Sequence, residues 1–291
     1  MRRLFILSLL ALIVAAPAYS WGRHGGGVSI SIDDGDVTDC GDLRIRFGGE
    51  RAHVLTEEVS VAGVRSLRVR SARQGGIRVT GWSGSSYSVQ ACKAVADGVN
   101  PADIRVTFSG SELSATGPDG GDWVVYFLVR APRGATLDLD STNGPVSLDS
   151  VDGTVTARVT NGPLSLRNTS GRVDASSTNG PISIAGGGGE VKAQATNGPL
   201  SVKLEGSGWN GTLDASTKNG PVSLKLPRGY RSGVVLESRG RGPITCRADD
   251  CRLNSLFDGE DDEPRRIQLG SGPQNIHLST VNGPVSVKNA E

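Results

Sequence analysis

The feature that most constrains this sequence is the tripeptide Asn-Gly-Pro, which recurs at a nearly fixed spacing. Five copies follow one another at intervals of 18, 18, 18 and 22 residues, and a degenerate copy (Arg241-Gly242-Pro243) and a further intact copy come later. A period of this size is typical of a repeat protein, in which each unit completes the core of its neighbour. The intact copies begin at Asn143, Asn161, Asn179, Asn197, Asn219 and Asn282.

Apolar residues alternate with polar ones on both sides of each tripeptide. This period of two predicts two short strands per unit, each with one buried face. The glycine permits a positive φ in the turn, and the proline fixes the backbone where the second strand begins. The residues predicted to point inward after the turn include Val146, Leu164, Ile182 and Leu200.

The fold class predicted from these units is all-β. One unit cannot bury its own apolar face, so the units must stack into a single-chain β-solenoid, parallel β-helix-like or β-roll-like, with coils of about 18–22 residues. Aligned Asn side chains at the turns can bond the backbone of the next unit, which predicts a structural turn ladder. The matching Ser and Thr columns predict a flat, solvated sheet face, and such a hydroxyl array is also compatible with binding a polymer, a sugar or an ice surface.

Three segments are expected along the chain. Residues 1–20 have the short basic start and the apolar run of a signal peptide for export. Residues 21–58 are an extension whose strands could cap one end of the solenoid. Residues 59–291 form the solenoid domain, with a β-meander at 92–134 and a loop insertion at 247–266. Because few residues follow the last unit, we expect an exposed C-terminal edge that permits self-association.

Composition narrows the possible partners. Lys and Arg total 31 against 30 Asp and Glu, which gives a formal net charge of +1 and argues against a nucleic-acid partner. The apolar stretch near the start is too short to span a bilayer, and no later stretch is long enough, so we expect no transmembrane segment. The high glycine content, 41 of 291 residues, suits a β protein with many turns.

The four cysteines predict disulfides, because an exported chain with an even number of cysteines usually pairs them. Cys40 with Cys92 would hold the extension on the body, and Cys246 with Cys251 would close a small loop. This pairing is the favoured one of three possible pairings. None of the spacings is the C-x-x-C of a zinc or redox site.

The sequence offers little chemistry for catalysis or for a metal. It contains three histidines far apart, including His277 at an outward strand position, and no catalytic or phosphate-binding motif. We therefore expect no cofactor and no metal centre. We interpret one acidic run as a charged loop tip. A calcium site is the weaker alternative, since Ca²⁺ prefers carboxylate oxygens. The members of this run are Asp258, Glu260, Asp261, Asp262 and Glu263.

Outward carboxylates raise one enzymatic alternative. Asp138 and Asp174 should lie two rungs apart in one column, about 9–10 Å by strand spacing, which is within the range of a glycosidase pair. Alternating charges along the same column, as in Asp174, Lys192 and Asp214, are explained equally by ion pairing on a sheet surface. We interpret them as surface pairing, without assigned catalytic residues.

A longer phrase points to a known family. Leu67-Arg-Val-Arg-Ser71, Gly76-Ile-Arg-Val-Thr-Gly-Trp82 and the repeated Ser/Thr-x-Asn-Gly-Pro-Val-Ser-Leu resemble the bacterial putative-adhesin domains of unknown function. The resemblance implies an exported, repetitive β-solenoid of the cell envelope, in the periplasm or at the cell surface. The leading hypothesis is a non-enzymatic interaction protein with an envelope protein or a glycan as partner. The alternative is a carbohydrate-active enzyme on a β-helix.

Overall fold

The computed structural model describes residues 28–31, 37–240, 242–253, 256–258 and 265–290. The predicted signal peptide, Arg241 and most of the acidic run (259–264) lie outside the described residues. The described part is all-β, as predicted, and its helices are limited to one short α-helix, α1 (Asp250–Leu253), and two 3-10 helices, Cys40–Asp42 and Pro101–Asp103. The strands are β1 (Val28–Ser31), β2 (Arg44–Phe47), β3 (Glu50–Arg51), β4 (His53–Val59), β5 (Ser66–Arg70), β6 (Ile77–Gly81), β7 (Ser88–Val95), β8 (Arg105–Ser109), β9 (Glu112–Thr116), β10 (Trp123–Ala131), β11 (Thr136–Asn143), β12 (Val146–Asp149), β13 (Thr154–Asn161), β14 (Leu164–Arg167), β15 (Arg172–Asn179), β16 (Ile182–Ala185), β17 (Gly189–Asn197), β18 (Leu200–Lys203), β19 (Gly211–Asn219), β20 (Val222–Leu226), β21 (Gly233–Ser238), β22 (Ile244–Cys246), β23 (Leu256–Asp258), β24 (Arg265–Leu269), β25 (Gln274–Asn282) and β26 (Val285–Asn289).

Most of these strands belong to two long mixed sheets. The front sheet has 11 strands in the order β22-β26-β20-β18-β16-β14-β12-β6-β10-β7-β4. The rear sheet has 12 strands in the order β23-β24-β21-β25-β19-β17-β15-β13-β11-β5-β9-β8. A small antiparallel sheet contains β1, β2 and β3.

Each Asn-Gly-Pro turn connects a rear strand to a front strand, and we call such a pair of strands a rung. The two outermost pairs, β5/β6 and β21/β22, are also called rungs, although other tripeptides lie between their strands. Neighbouring rungs pair in parallel and in register, so that Val155 lies between Leu137 and Val173 in the rear sheet. In the front sheet Leu164 lies between Val146 and Ile182. In spatial order the rungs are β5/β6, β11/β12, β13/β14, β15/β16, β17/β18, β19/β20, β25/β26 and β21/β22.

The core lies between the two sheets. In the front strands Val146, Leu164, Ile182 and Leu200 are all 0–1% exposed. The rear strands oppose them with small residues that are fully buried, at Ala157, Ala175, Ala193 and Ala215. Large side chains from one sheet thus face small side chains from the other, an arrangement that favours close packing of the core.

The turn glycines are required for a reason other than the one predicted. Among the intact Asn-Gly-Pro copies, only Gly162 has a positive φ, 153°. The constraint is instead the close approach of successive rungs. A Cβ atom at Gly180 would lie 2.0 Å from the carbonyl oxygen of Gly162, and one at Gly198 would lie 2.2 Å from that of Gly180. Only glycine fits where backbones pass this closely.

The chain does not stack its rungs strictly in sequence order. The final unit pairs on both sides, because β25 lies between β19 and β21 and β26 lies between β20 and β22. The expectation that the last unit forms an exposed C-terminal edge is therefore wrong. The end of the described stack beyond the final unit is formed by β22 in the front sheet and by β23 and β24 in the rear sheet.

The opposite end is built from antiparallel strands. β10, β7 and β4 extend the front sheet beyond β6, and β9 and β8 extend the rear sheet beyond β5. The strands of the predicted meander are thus divided between the two sheets. Among the described residues, no helix has the length and the apolar character needed to cross a membrane.

The N-terminal segment packs on the outer side of the front sheet. Leu43, Ile45 and Phe47 are buried in a second apolar cluster that includes Val124 and Tyr126 of β10. The predicted disulfide between Cys40 and Cys92 is confirmed and links this segment to β7. The second predicted disulfide, between Cys246 and Cys251, is confirmed as well.

Candidate interaction surface

The outer face of the front sheet carries two columns of side chains that run along the stack. Each front strand exposes two positions, because alternate residues point away from the core. The first position holds a hydroxyl side chain in seven successive rungs, and these residues pair in register. We call them the seryl column: Ser147, Ser165, Ser183, Ser201, Ser223, Ser286 and Thr245.

The second outward position becomes basic toward the β22 end. Lys203 pairs in register with Lys225, which pairs with Lys288. Arg247 continues the line, since it follows Cys246, the partner of Val287, and its amide donates to the Val287 carbonyl. All four side chains are exposed. We call Lys203, Lys225, Lys288 and Arg247 the basic column.

Both lines of positions continue into a groove at the other end of the front sheet. In the first line Ser147 pairs with Arg78, which pairs with Leu128, and Leu128 pairs with Gln90. A cavity of about 460 Å³ opens over Arg78, Leu128 and Gln90, with Trp82 also lining it. This volume is in the range of small-molecule sites in proteins. The floor of the groove and the seryl column therefore form one continuous surface.

Polar contacts fix the groove walls. Gln90 Nε2 donates to Glu58 Oε1 at 2.7 Å, and the indole of Trp82 donates to the Ser86 carbonyl at 3.0 Å. The Arg78 guanidinium lies 4.0 Å from the Asp149 carboxylate.

Beneath the N-terminal segment, burial raises the pKa of the Tyr126 hydroxyl far above its ordinary value, so Tyr126 stays neutral.

The rear sheet presents a different surface, on which opposite charges are paired. Asp138 binds Arg68 at 2.9 Å and Arg158 at 3.1 Å, and Arg70 binds Asp140 at 2.9 Å. Partial burial lowers the pKa of Arg70, but the carboxylates beside it, including Asp140, outweigh that effect and raise it overall. Arg158 is level with Asp140 in the sheet, yet its side chain reaches diagonally to Asp138.

The column of the enzymatic alternative also lies in the rear sheet. Thr156 separates Asp138 from Asp174, and Lys192 lies between Asp174 and Asp214. His277 occupies the next rung, with Nδ1 3.5 Å from Asp214 and Nε2 3.2 Å from Glu237. The outward position predicted for His277 is thus correct, and its two carboxylate neighbours come from other rungs. Within the described residues no group of three or more His, Cys, Asp and Glu could hold a metal ion.

The six predicted turn asparagines lie together along one side of the stack. The side-chain amide of each later Asn donates to the side-chain oxygen of the Asn in the preceding rung. The distances are 2.8 Å for Asn161 to Asn143 and 2.9 Å for Asn179 to Asn161. The same contact, at 2.8–2.9 Å, links Asn197, Asn219 and Asn282. These bonds join side chain to side chain, whereas the sequence suggested bonds from side chain to backbone.

Sequence reasoning missed the basic column and the groove. The formal net charge of +1 averages two sheets whose charges are distributed differently, and it gives no sign of a local excess of cations. A sequence signal did exist, because Lys203, Lys225 and Lys288 each stand six residues after the Asn of their own turn. The groove had a weaker signal, Arg78 and Trp82 in one unit, since its other walls come from strands far apart in sequence.

The fold and this surface define a repetitive all-β protein with two stacked sheets and an extended polar face. No family model matches the chain, and no curated protein matches it in sequence. Solved structures similar to it include putative adhesins from Bacteroides fragilis NCTC 9343 and from Parabacteroides distasonis ATCC 8503. Each is 12% identical, with a TM-score of 0.33, and each similarity covers 82% of this chain and 97% of the other.

A putative cell adhesion protein from Clostridium sporogenes ATCC 15579 is also similar. It is 12% identical, with a TM-score of 0.28, over 82% of this chain and all of the other. The names of these structures match the family resemblance found in the sequence. Because identity and TM-score are both low, no residue role and no activity is transferred from them to this chain.

Proposed function

We propose that this protein is a non-enzymatic, exported interaction protein of the bacterial cell envelope or surface, and that its stacked rungs form one continuous β-solenoid. The front face is its binding surface. The observation that carries the proposal is the continuity of that face, in which the groove, the seryl column and the basic column occupy the same two lines of positions. In-register pairing holds such a surface rigid, so an extended ligand binds with little ordering of the protein.

The contacts of the rear-sheet carboxylates favour an interaction role over the enzymatic alternative. A glycosidase needs one carboxyl group that holds a proton and another that is free to attack or to activate water. Both oxygens of Asp138 are engaged by arginines, Oδ2 by Arg68 and Oδ1 by Arg158. Asp174 lies at an exposed, outward position of β15. These contacts explain the charges as surface pairing.

The disulfides support the proposed location. Both pairs are formed, and disulfides persist in oxidising compartments such as the periplasm or the cell exterior. The predicted signal peptide at 1–20 gives a route to those compartments. A partner in the envelope, a glycan or a protein, is therefore encountered where the folded protein resides.

Blocking one face at a time tests the proposal. Ser183 and Ser176 belong to the same rung and point outward from the front and the rear sheet. We expect the purified protein to co-sediment with isolated envelope material, Ser183→Trp to reduce the bound fraction severalfold, and Ser176→Trp to leave it unchanged. Equal binding by both variants, or no binding by the unmodified protein, would rule out the front face as the binding surface.

The enzymatic alternative makes a separate prediction. If the chain cleaves a polysaccharide with its rear-sheet carboxylates, a broad panel of glycans will contain at least one that is turned over, and Asp138→Ala will abolish that turnover. We expect no turnover of any member of the panel. Reducing-end release that disappears in Asp138→Ala would replace the interaction role with an enzymatic one.

A further inference from the structure

We propose that the basic column together with the neighbouring hydroxyls binds an acidic polysaccharide, a linear glycan with carboxylate or sulfate groups, laid along the stack axis. This inference rests on the interaction role proposed above and specifies the chemistry of the ligand. The site consists of four consecutive rungs at the β22 end of the front sheet.

The first observation is a line of four cations of which, among the described residues, only Lys203 has a carboxylate ion-pair partner. Residues in register on neighbouring strands lie about 4.8 Å apart, and like charges at that distance repel. Lys203 binds Glu205 at 2.9 Å. Among the described residues, no carboxylate forms an ion pair with Lys225, Lys288 or Arg247. The nearby Asp249 is already bound by Arg228 at 2.9 Å. A bound polyanion would supply the missing negative charge.

The second observation is that a hydroxyl accompanies every cation. Each rung of the site has Ser or Thr two residues before its Lys or Arg, on the same outward face. The pairs are Ser201 with Lys203, Ser223 with Lys225, Ser286 with Lys288 and Thr245 with Arg247. A cation and a hydroxyl therefore repeat together once per rung, and a glycan offers the complementary repeat of acidic groups and sugar hydroxyls.

The third observation is the contrast with the rear sheet of the same molecule. There Lys192 lies in register between Asp174 and Asp214, so the cation alternates with anions. Within the described residues, the shortage of counter-charges along the basic column is thus a local feature of the front sheet and does not follow from the overall charge of the chain.

The chemistry of the column favours a glycan over a nucleic acid. Proteins that bind single-stranded nucleic acids combine cations with aromatic side chains on which the bases stack. The eight residues that form the four pairs contain hydroxyls and cations only. Hydroxyls can bind sugar hydroxyls, but they offer no platform for stacked bases.

The test compares two double variants with the same change in charge. Lys225→Gln with Lys288→Gln neutralises the centre of the column, and Lys192→Gln with Lys218→Gln neutralises two exposed lysines of the rear sheet. Affinity for sodium polygalacturonate and for dextran sulfate is measured by isothermal titration calorimetry at low salt, with neutral dextran as a blank. We expect the unmodified protein to bind at least one acidic polymer and the blank not at all. The front variant should weaken binding by about tenfold or more, and the rear variant by less than about twofold.

Several outcomes would overturn the inference. Unchanged affinity in the front variant would do so, as would an equal loss in the rear variant, which would assign the effect to net charge. Oligodeoxythymidylate bound as tightly as the acidic glycans, with the same loss in the front variant, would show that the site does not recognise glycans. A lower melting temperature in the front variant would assign its loss of binding to unfolding, and in that case Lys225→Arg with Lys288→Arg must retain full affinity for the inference to stand.

The two proposals fail in distinguishable ways. If the protein co-sediments with envelope material through its front face but binds neither acidic polymer, the inference about the ligand is wrong and the interaction role stands. If the protein binds neither the envelope material nor an acidic polymer, the interaction role and the inference about the ligand are both wrong.

Discussion

The side-chain amide of Asn282 donates to the side-chain oxygen of Asn219 at 2.8 Å, although 63 residues separate them in the sequence. This contact extends the line of turn asparagines across the place where the chain departs from sequence order. Strands β21 and β22 form the outer rung. Strands β25 and β26 come later in the sequence but lie between that rung and the rung β19/β20. The last unit of the chain is therefore an interior part of the stack.

An interior position predicts a large energetic cost for truncating the core of the final unit. Leu278 is fully buried, as is Leu148 in the second rung. Leu278→Ala should lower the free energy of unfolding by about 2–5 kcal/mol, since it removes apolar burial and leaves a cavity. Leu148→Ala is the matched control in an early rung. Chemical denaturation measures both, and a cost below about 1 kcal/mol for Leu278→Ala alone would indicate a frayed end.

The turn glycines are predicted to tolerate no side chain. In Gly180→Ala the new methyl group would overlap the carbonyl oxygen of Gly162, so the rungs must separate locally. We expect a loss of about 1–3 kcal/mol in unfolding free energy. Gly120→Ala, at a position with open space around it, is the control and should be close to neutral. Equal effects of the two substitutions would mean that successive turns are not in contact.

The asparagine contacts predict an effect that depends on pH. Asn179 donates to Asn161 and accepts from Asn197, both at 2.9 Å. Asn179→Asp keeps the acceptor but places a carboxylate against the Asn161 oxygen, so we expect a loss of about 1 kcal/mol at pH 7. The loss should shrink below about pH 4, where protonation of Asp restores a donor. Thr178→Ala, an exposed neighbour, is the control. A penalty for Asn179→Asp that does not change with pH would contradict the ladder geometry.

The disulfide at the N-terminal segment is predicted to contribute more to the free energy of unfolding than the disulfide near β22. Cys40 and Cys92 are 52 residues apart, whereas Cys246 and Cys251 are 5 apart. Because a longer closed loop restricts the unfolded chain more, Cys40→Ser with Cys92→Ser should cost about 2 kcal/mol more than Cys246→Ser with Cys251→Ser. Thermal unfolding checks the order. Hydrogen exchange should also show loss of protection in residues 43–52 of the first variant, and a reversed order would contradict this explanation.

The sequence could predict the strands, the turns and the inward residues, because those depend on a local pattern that each unit repeats. Val146 and Leu164 are buried for the reason that the period of two indicates. The spatial order of the rungs could not be predicted in this way. The unit containing Asn282 has the same local pattern as the others, so nothing within it specifies which two rungs it joins.

The candidate surface was less accessible to sequence reasoning. The serines can be recognised as a column from the sequence. The cluster of Lys203, Lys225 and Lys288 cannot be inferred from the net charge, because a value close to zero for the whole chain does not show a local excess of cations. Pairing with Lys288 becomes apparent only when the final unit is placed beside Lys225. The diagonal reach of Arg158 to Asp138 was also missed, because a register specifies which backbones are neighbours and leaves the direction of a long side chain open.

Paired cysteines in the front sheet test most directly whether the units form one stack in this order. Ser223 and Ser286 lie on adjacent strands in register, at a spacing compatible with a disulfide, whereas Ser201 and Ser286 lie two rungs apart. Mild oxidation of Ser223→Cys with Ser286→Cys should form an intramolecular disulfide, identified by mass spectrometry of the digested protein. Ser201→Cys with Ser286→Cys should remain unlinked. A link in the second variant but not in the first would contradict the stack described for this chain.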